Sequence, residues 1–99
     1  MVKKVSDEIV IWAMKAISGE ITANMRMVAF SFGGGKAKFK YYLTDEPTEE
    51  DHEAGEITAL NFDNGLSKNL DELDIEFEVT SRPLGTLDCL DISLFRRKE

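Results

Sequence analysis

Residues 24–47 read NMRMVAFSFGGGKAKFKYYLTDEP, and this stretch decides the fold. Val28, Phe30 and Phe32 alternate with other residues, which places them on one side of a strand. After Gly33, Gly34 and Gly35 the alternation resumes with Ala37, Phe39, Tyr41 and Leu43. Two alternating runs around a glycine turn predict a β-hairpin. Lys36, Lys38 and Lys40 then form a basic stripe on the opposite face of the second strand. A glycine triplet can also cradle phosphate, but that motif needs a helix directly after it. Here the triplet joins two strands, so it predicts a turn.

The flanking segments each carry a helix. Ser6 suits an N-cap, with Asp7 and Glu8 in the first turn where the helix dipole favours negative charge. Val5 and Val10 have the positions of a hydrophobic staple. Ile9, Ala13, Ala16 and Ile17 share a face. Ile11, Trp12 and Met14 widen it, which predicts a helix covered on more than one side, and Gly19 stops it. Downstream, Pro47 fits a first helical position, and Thr48 with Asp51 has capping-box spacing. Ala54, Ile57 and Leu60 follow at helical spacing, with Gly55 weakening the pattern and Asp63-Asn64-Gly65 ending it.

The segment LDELDIEFEVTS alternates again. Leu73, Ile75, Phe77 and Val79 point one way and Asp74, Glu76 and Glu78 the other. RPLG reads as a turn, and Leu90, Ile92 and Leu94 make a last strand that ends in FRRKE. Cys89 lies in this alternating run, where it reads as a half-buried small hydrophobe. The element order is α-β-β-α-β-β. It predicts an α+β fold in one domain, residues 1–99: a mostly antiparallel four-stranded sheet with two helices packed on one face. If the lysine stripe and the acidic stripe lie on neighbouring strands, they neutralise one another at about 0.2–1 kcal/mol per pair.

The chain has 99 residues, 42% of them hydrophobic and 31% charged. That is a globular composition, and a domain of this size buries roughly 60–70% of the surface of its unfolded chain. With one cysteine there is no intrachain disulfide. The N-terminal apolar run is broken by Asp7, Glu8 and Lys15 and is too short to span a bilayer, so a cytoplasmic location is expected. The net charge of −7 would repel duplex nucleic acid and anionic membrane and attract a basic partner. The same charge also serves plain solubility.

Negative charge is densest in TDEPTEEDHEAGE, residues 44–56, where seven of thirteen residues are acidic and the one histidine, His52, is found. General acid–base chemistry needs carboxylates whose affinities for protons are pushed apart, usually by burial. These acids have no apolar flanks from Glu49 to Glu53, so they read as hydrated and unshifted. His52 and Glu56 stand four residues apart with Glu49 one turn earlier, yet zinc sites want more histidine or cysteine, and a calcium loop pattern is absent. His52 therefore reads as a solvent-facing helix residue, and the sequence calls for no cofactor. First-turn acids account for Glu49, Glu50 and Asp51 at about 0.3–1 kcal/mol each. Asp45, Glu46, Glu53 and Glu56 exceed that need, and like charges one turn apart oppose the helix. The surplus points to a cationic partner. Charge alone selects Asp45, Glu46, Glu49, Glu50, Asp51 and Glu53 as partner-binding residues, with Asp71, Glu72 and Asp74 as a second patch.

Three stretches together, GEITANMRMVAFSF, FKYYLTDEPTEEDHE and VTSRPLGTLDCLDISLFRR, resemble a group of small bacterial immunity proteins, the antidotes of contact-dependent growth inhibition and related polymorphic toxin systems. The features that carry the likeness are Gly19-Glu20-Ile21, Arg26 with Val28 leading into the aromatic alternation, and Tyr42 followed by Pro47-Thr48-Glu49-Glu50-Asp51. It covers roughly residues 19–96. The resemblance implies a non-enzymatic inhibitor that binds the toxic C-terminal domain of a cognate effector, one to one. Many such toxins are nucleases with basic clefts, which agrees with the charge pattern. Two other classes remain open on the residues alone. One is a small enzyme or metal-dependent domain using His52 and neighbouring carboxylates. The other is a domain that self-associates through the IVIWAM helix.

Overall fold

The computed structural model describes residues 5–66 and 70–99. Helix α1 spans Asp7–Ile17, strand β1 Met25–Gly33, β2 Lys36–Leu43, helix α2 Glu49–Gly65, β3 Glu72–Val79 and β4 Ile92–Arg96, with a short 3-10 turn at Leu84–Thr86. The expected α-β-β-α-β-β order and α+β class are what the structure shows. The sheet order is β3-β2-β1-β4. β1 pairs antiparallel with β2 and with β4, whereas β2 pairs parallel with β3 along its whole length. The sheet is thus mixed. The parallel ladder follows from the connection, because α2 carries the chain from the end of β2 back to the start of β3.

The hairpin closes as its sequence predicts. Gly33 faces Lys36, and Gly34 and Gly35 take φ of 61° and 78°. Two consecutive positive φ values make the turn whose twist matches the strands, and glycine enters that region without a steric cost. Val28, Phe30, Phe39, Tyr41 and Leu43 are buried beneath the two helices. Phe62 from α2 meets Phe30 and Phe39 edge-on at centroid distances of 5.4 and 5.3 Å, a favoured aromatic geometry. Ser6 caps α1 by accepting from the Ile9 amide.

Several local expectations change. Thr48, not Pro47, bounds α2, so Pro47 precedes the cap instead of opening the helix. Thr48 Oγ1 accepts from the Asp51 amide at 3.2 Å, and Asp51 Oδ2 accepts from the Thr48 amide at 3.0 Å. The inward face of α2 is Asp51, Ala54, Gly55, Thr58 and Phe62, while Leu60 is 62% exposed. Gly55 is there for contact: a Cβ would stand 3.0 Å from Ile75 Cγ2 and 3.2 Å from Phe77 Cζ. Ile11 and Met14 of α1 are exposed, so only one side of that helix is covered, and Val79 is exposed at the sheet's edge.

The other face of the sheet carries charge and a small apolar cluster. Met27, Ala29, Tyr42 and Leu87 pack there, with Leu84, Cys89 and Leu90 against them. Cys89 and Leu90 precede the last strand instead of belonging to it. Leu90 takes a φ of 58°, and the strand proper begins at Ile92. The Asp91 amide donates to Phe30 O and the Phe32 amide to Asp91 Oδ2, which ties the incoming segment to β1.

Candidate functional site

The charged stripes meet as neighbours. In the parallel ladder Lys38 faces Asp74 and Lys40 faces Glu76. Lys38 Nζ lies 2.7 Å from Glu76 and 3.9 Å from Asp74. Lys40 Nζ lies 3.1 Å from Glu76 and 3.0 Å from Glu78, and 5.0 Å above the Tyr42 ring. Hydrogen bonds from Lys38 and Lys40 hold the Glu76 carboxyl below its ordinary value. Burial opposes the charge on Lys40, yet Glu78 and Glu76 outweigh it and raise its proton affinity. This ladder is internally balanced and ties β3 to β2.

The opening of α2 is different. Asp45, Glu46, Glu49, Glu50 and Glu53 are all exposed. They sit on the loop after β2 and on the first two turns of α2, placed by the Thr48 capping box. Asp51 corrects the expectation drawn from charge: it is fully buried. Its carboxylate accepts from Thr22 Oγ1 at 2.5 Å and from Asn24 Nδ2 at 2.8 Å, besides the Thr48 amide. Burial would favour the neutral acid, but these bonds together depress its pKa. Asp51 is therefore a structural anion, unavailable to a partner. Asn24 extends the network, donating to Asp45 O and accepting from the Asp45 amide. The acidic loop is in this way fixed to the segment before β1.

The second patch divides likewise. Asp71, Glu72 and Asp74 are exposed. Asp74 lies within reach of Lys38, whereas Asp71 and Glu72 flank a groove of about 280 Å³ between α2 and the start of β3. The exposed His52 ring packs edge-on against Phe77 at 5.0 Å. Among the described residues no three histidine, cysteine, aspartate or glutamate side chains are placed to share a metal ion, and no helix is long and apolar enough to cross a membrane.

Sequence reasoning missed a second ionic centre. Arg26 is buried in β1 and makes a two-point contact with Glu99, Nε to Oε2 at 2.9 Å and Nη2 to Oε1 at 2.7 Å. Its remaining donors reach Thr80 O and Arg82 O. Arg97 also binds Glu99, along with Ala23 O and Thr44 Oγ1. The hydrogen bond from Arg26, with help from Arg97, holds the Glu99 carboxyl down at about 2. The only sequence signal was a lone arginine within an apolar run. Its partner lies 73 residues away.

A family model described as MafI2 immunity protein matches residues 6–99. No curated protein matches the chain significantly. Among solved structures, a MamM CTD variant is similar with a TM-score of 0.51 at 18% identity, over 85% of this chain and 88% of that one. At that identity the likeness is one of fold.

Proposed function

Because the chain belongs to the MafI2 immunity protein family, and so acts in immunity against a toxin, we propose that it works without catalysis, in the cytoplasm, by docking an acidic surface onto a basic toxin domain. The observation that carries this reading is the division of the carboxylates. Asp51, Glu76 and Glu99 are consumed by the fold. Asp45, Glu46, Glu49, Glu50 and Glu53 are exposed and have no cationic partner among the described residues. Five carboxylates on one loop and helix start repel one another, and a cationic surface relieves that repulsion on binding. The partner that fits best is the C-terminal toxin domain of a contact-dependent growth inhibition effector, of the nuclease type. Its phosphate-binding cations would be occupied by these carboxylates instead of by nucleic acid.

The test is co-purification with the toxin domain encoded beside this chain's gene, together with growth of cells expressing that toxin. A one-to-one complex and restored growth are expected. A toxin that neither binds the chain nor is neutralised by it would overturn the reading.

A further inference from the structure

Leu60 is more exposed than any other large apolar side chain among the described residues. It is not isolated. With Ala59, Leu70 and Leu73 it lines the apolar part of the groove between α2 and β3. Asp63, Asp71 and Glu72 stand around the same groove. Among the described residues none of the three has a cationic partner. β3 is an edge strand, so the groove lies on the open flank of the sheet. Leu60 also falls on a helical stripe. Glu49, Glu53, Glu56, Leu60 and Asp63 recur at spacings of four and three, which aligns them on one outward face of α2. All five are exposed. The stripe runs from the acidic start of α2 to Leu60 and Asp63, which line the groove at its far end.

We propose that this groove is the anchoring point of the toxin interface, and that it takes an aliphatic side chain flanked by lysine or arginine on the toxin domain. The proposal rests on the toxin-binding reading above and names the part of the surface that holds the partner. Charge complementarity selects the occupant. A groove lined by both apolar side chains and carboxylates rejects an acidic segment. It accepts the aliphatic stem of a basic side chain as readily as an aliphatic residue, with the cationic tip at the rim. Binding energy concentrates where an apolar contact is shielded from water by surrounding polar ones. Leu60 shares the groove with Asp63 and Asp71, which is an arrangement of that kind, whereas the loop acids act through long-range attraction.

The experiment measures affinity for the toxin domain encoded beside this chain's gene, using the unmodified chain, Leu60→Lys and Ile11→Lys. Both substituted side chains are exposed, so both variants should fold, and circular dichroism checks this. Leu60→Lys is expected to raise Kd by about ten-fold or more, and Ile11→Lys by less than about two-fold. Equal affinity of Leu60→Lys and the unmodified chain would overturn the groove while leaving toxin binding intact. Equal weakening by Ile11→Lys would overturn it as well. If the unmodified chain fails to bind, the toxin-binding reading falls and takes the groove with it.

Discussion

The Asn24 side-chain amide donates to the Asp51 carboxylate at 2.8 Å, joining the segment before β1 to the first turn of α2. A buried carboxylate is stable only with its lone pairs filled, and Thr22 and Thr48 complete the set. Asp51→Ala removes the capping partner and leaves three donors without an acceptor. The expected loss is about 3 kcal/mol: ~1 kcal/mol for the capping contact with the Thr48 amide and ~1 kcal/mol for each of the Thr22 and Asn24 donors. Urea unfolding measures it, and a loss below about 1 kcal/mol would contradict this account of the network.

The Asp51 carboxyl also sets a pH dependence. Its folded pKa lies below the ordinary value of 3.8. The contribution is therefore present above that value and disappears as pH falls through the lower folded pKa. The Asp51→Asn variant should show a shallower acid limb in thermal unfolding than the unmodified chain. Parallel limbs would assign the acid sensitivity elsewhere.

Glu99 gives a second acid-sensitive contact. Its pKa of about 2 is well below the ordinary 4.5, so its contribution is full above 4.5 and is lost toward 2. Glu99→Gln leaves the buried Arg26 guanidinium without a counter-charge. Stability should fall at neutral pH, and the acid limb between 4.5 and 2 should become shallower, with the share from Asp51 remaining. A variant whose stability matches the unmodified chain at pH 7 would show that Thr80 and Arg82 carbonyls satisfy Arg26 unaided.

What could be read in the sequence was local. The 24–43 hairpin and the Ser6 and Thr48 caps depend on residues within a few positions, and all appear in the structure; β3 forms too, with Val79 at its end exposed. The alternation gave each of the lysine and acidic stripes a fixed face, and the structure supplies the condition for their neutralisation by making β2 and β3 neighbours. What depends on distant partners was not legible. Asp51 reads as one acid among many until Thr22 and Asn24 are brought to it. Leu60 fits a helical core period with Ala54 and Ile57, yet it is exposed, and Phe62 turns inward instead onto Phe30 and Phe39 of the hairpin. Gly55 reads as a weak point in the helix and Gly65 as part of the turn that ends it, yet each makes room for a ring from another element.

Gly65 offers a direct check of that close packing. A Cβ there would overlap the Trp12 ring. Gly65→Ala must push the indole aside and break its bond from Nε1 to Phe62 O, now 3.1 Å. Overpacking of this kind costs about 1–3 kcal/mol, more than the helix propensity gained. Trp12 is the one tryptophan in the chain, so its fluorescence reports on this site alone. A red-shifted emission and a lower Tm are expected. An unchanged spectrum would mean the helix end relaxes away from Trp12 instead.

The last prediction separates free carboxylates from those already spent. Glu49→Lys, Glu50→Lys and Glu53→Lys combined reverse charge on side chains without an ion pair, so they should act on encounter with a basic toxin. The association rate at low salt should fall by about ten-fold or more. The difference should narrow as added salt shortens the screening length toward ~3 Å near 1 M. Asp74→Asn is the control, because that carboxylate faces Lys38 within the sheet. It should change the rate by less than about two-fold. Stopped-flow mixing across a salt series reads both variants. A charge-reversed triple variant that associates at the unmodified rate would show that the toxin does not approach along the start of α2.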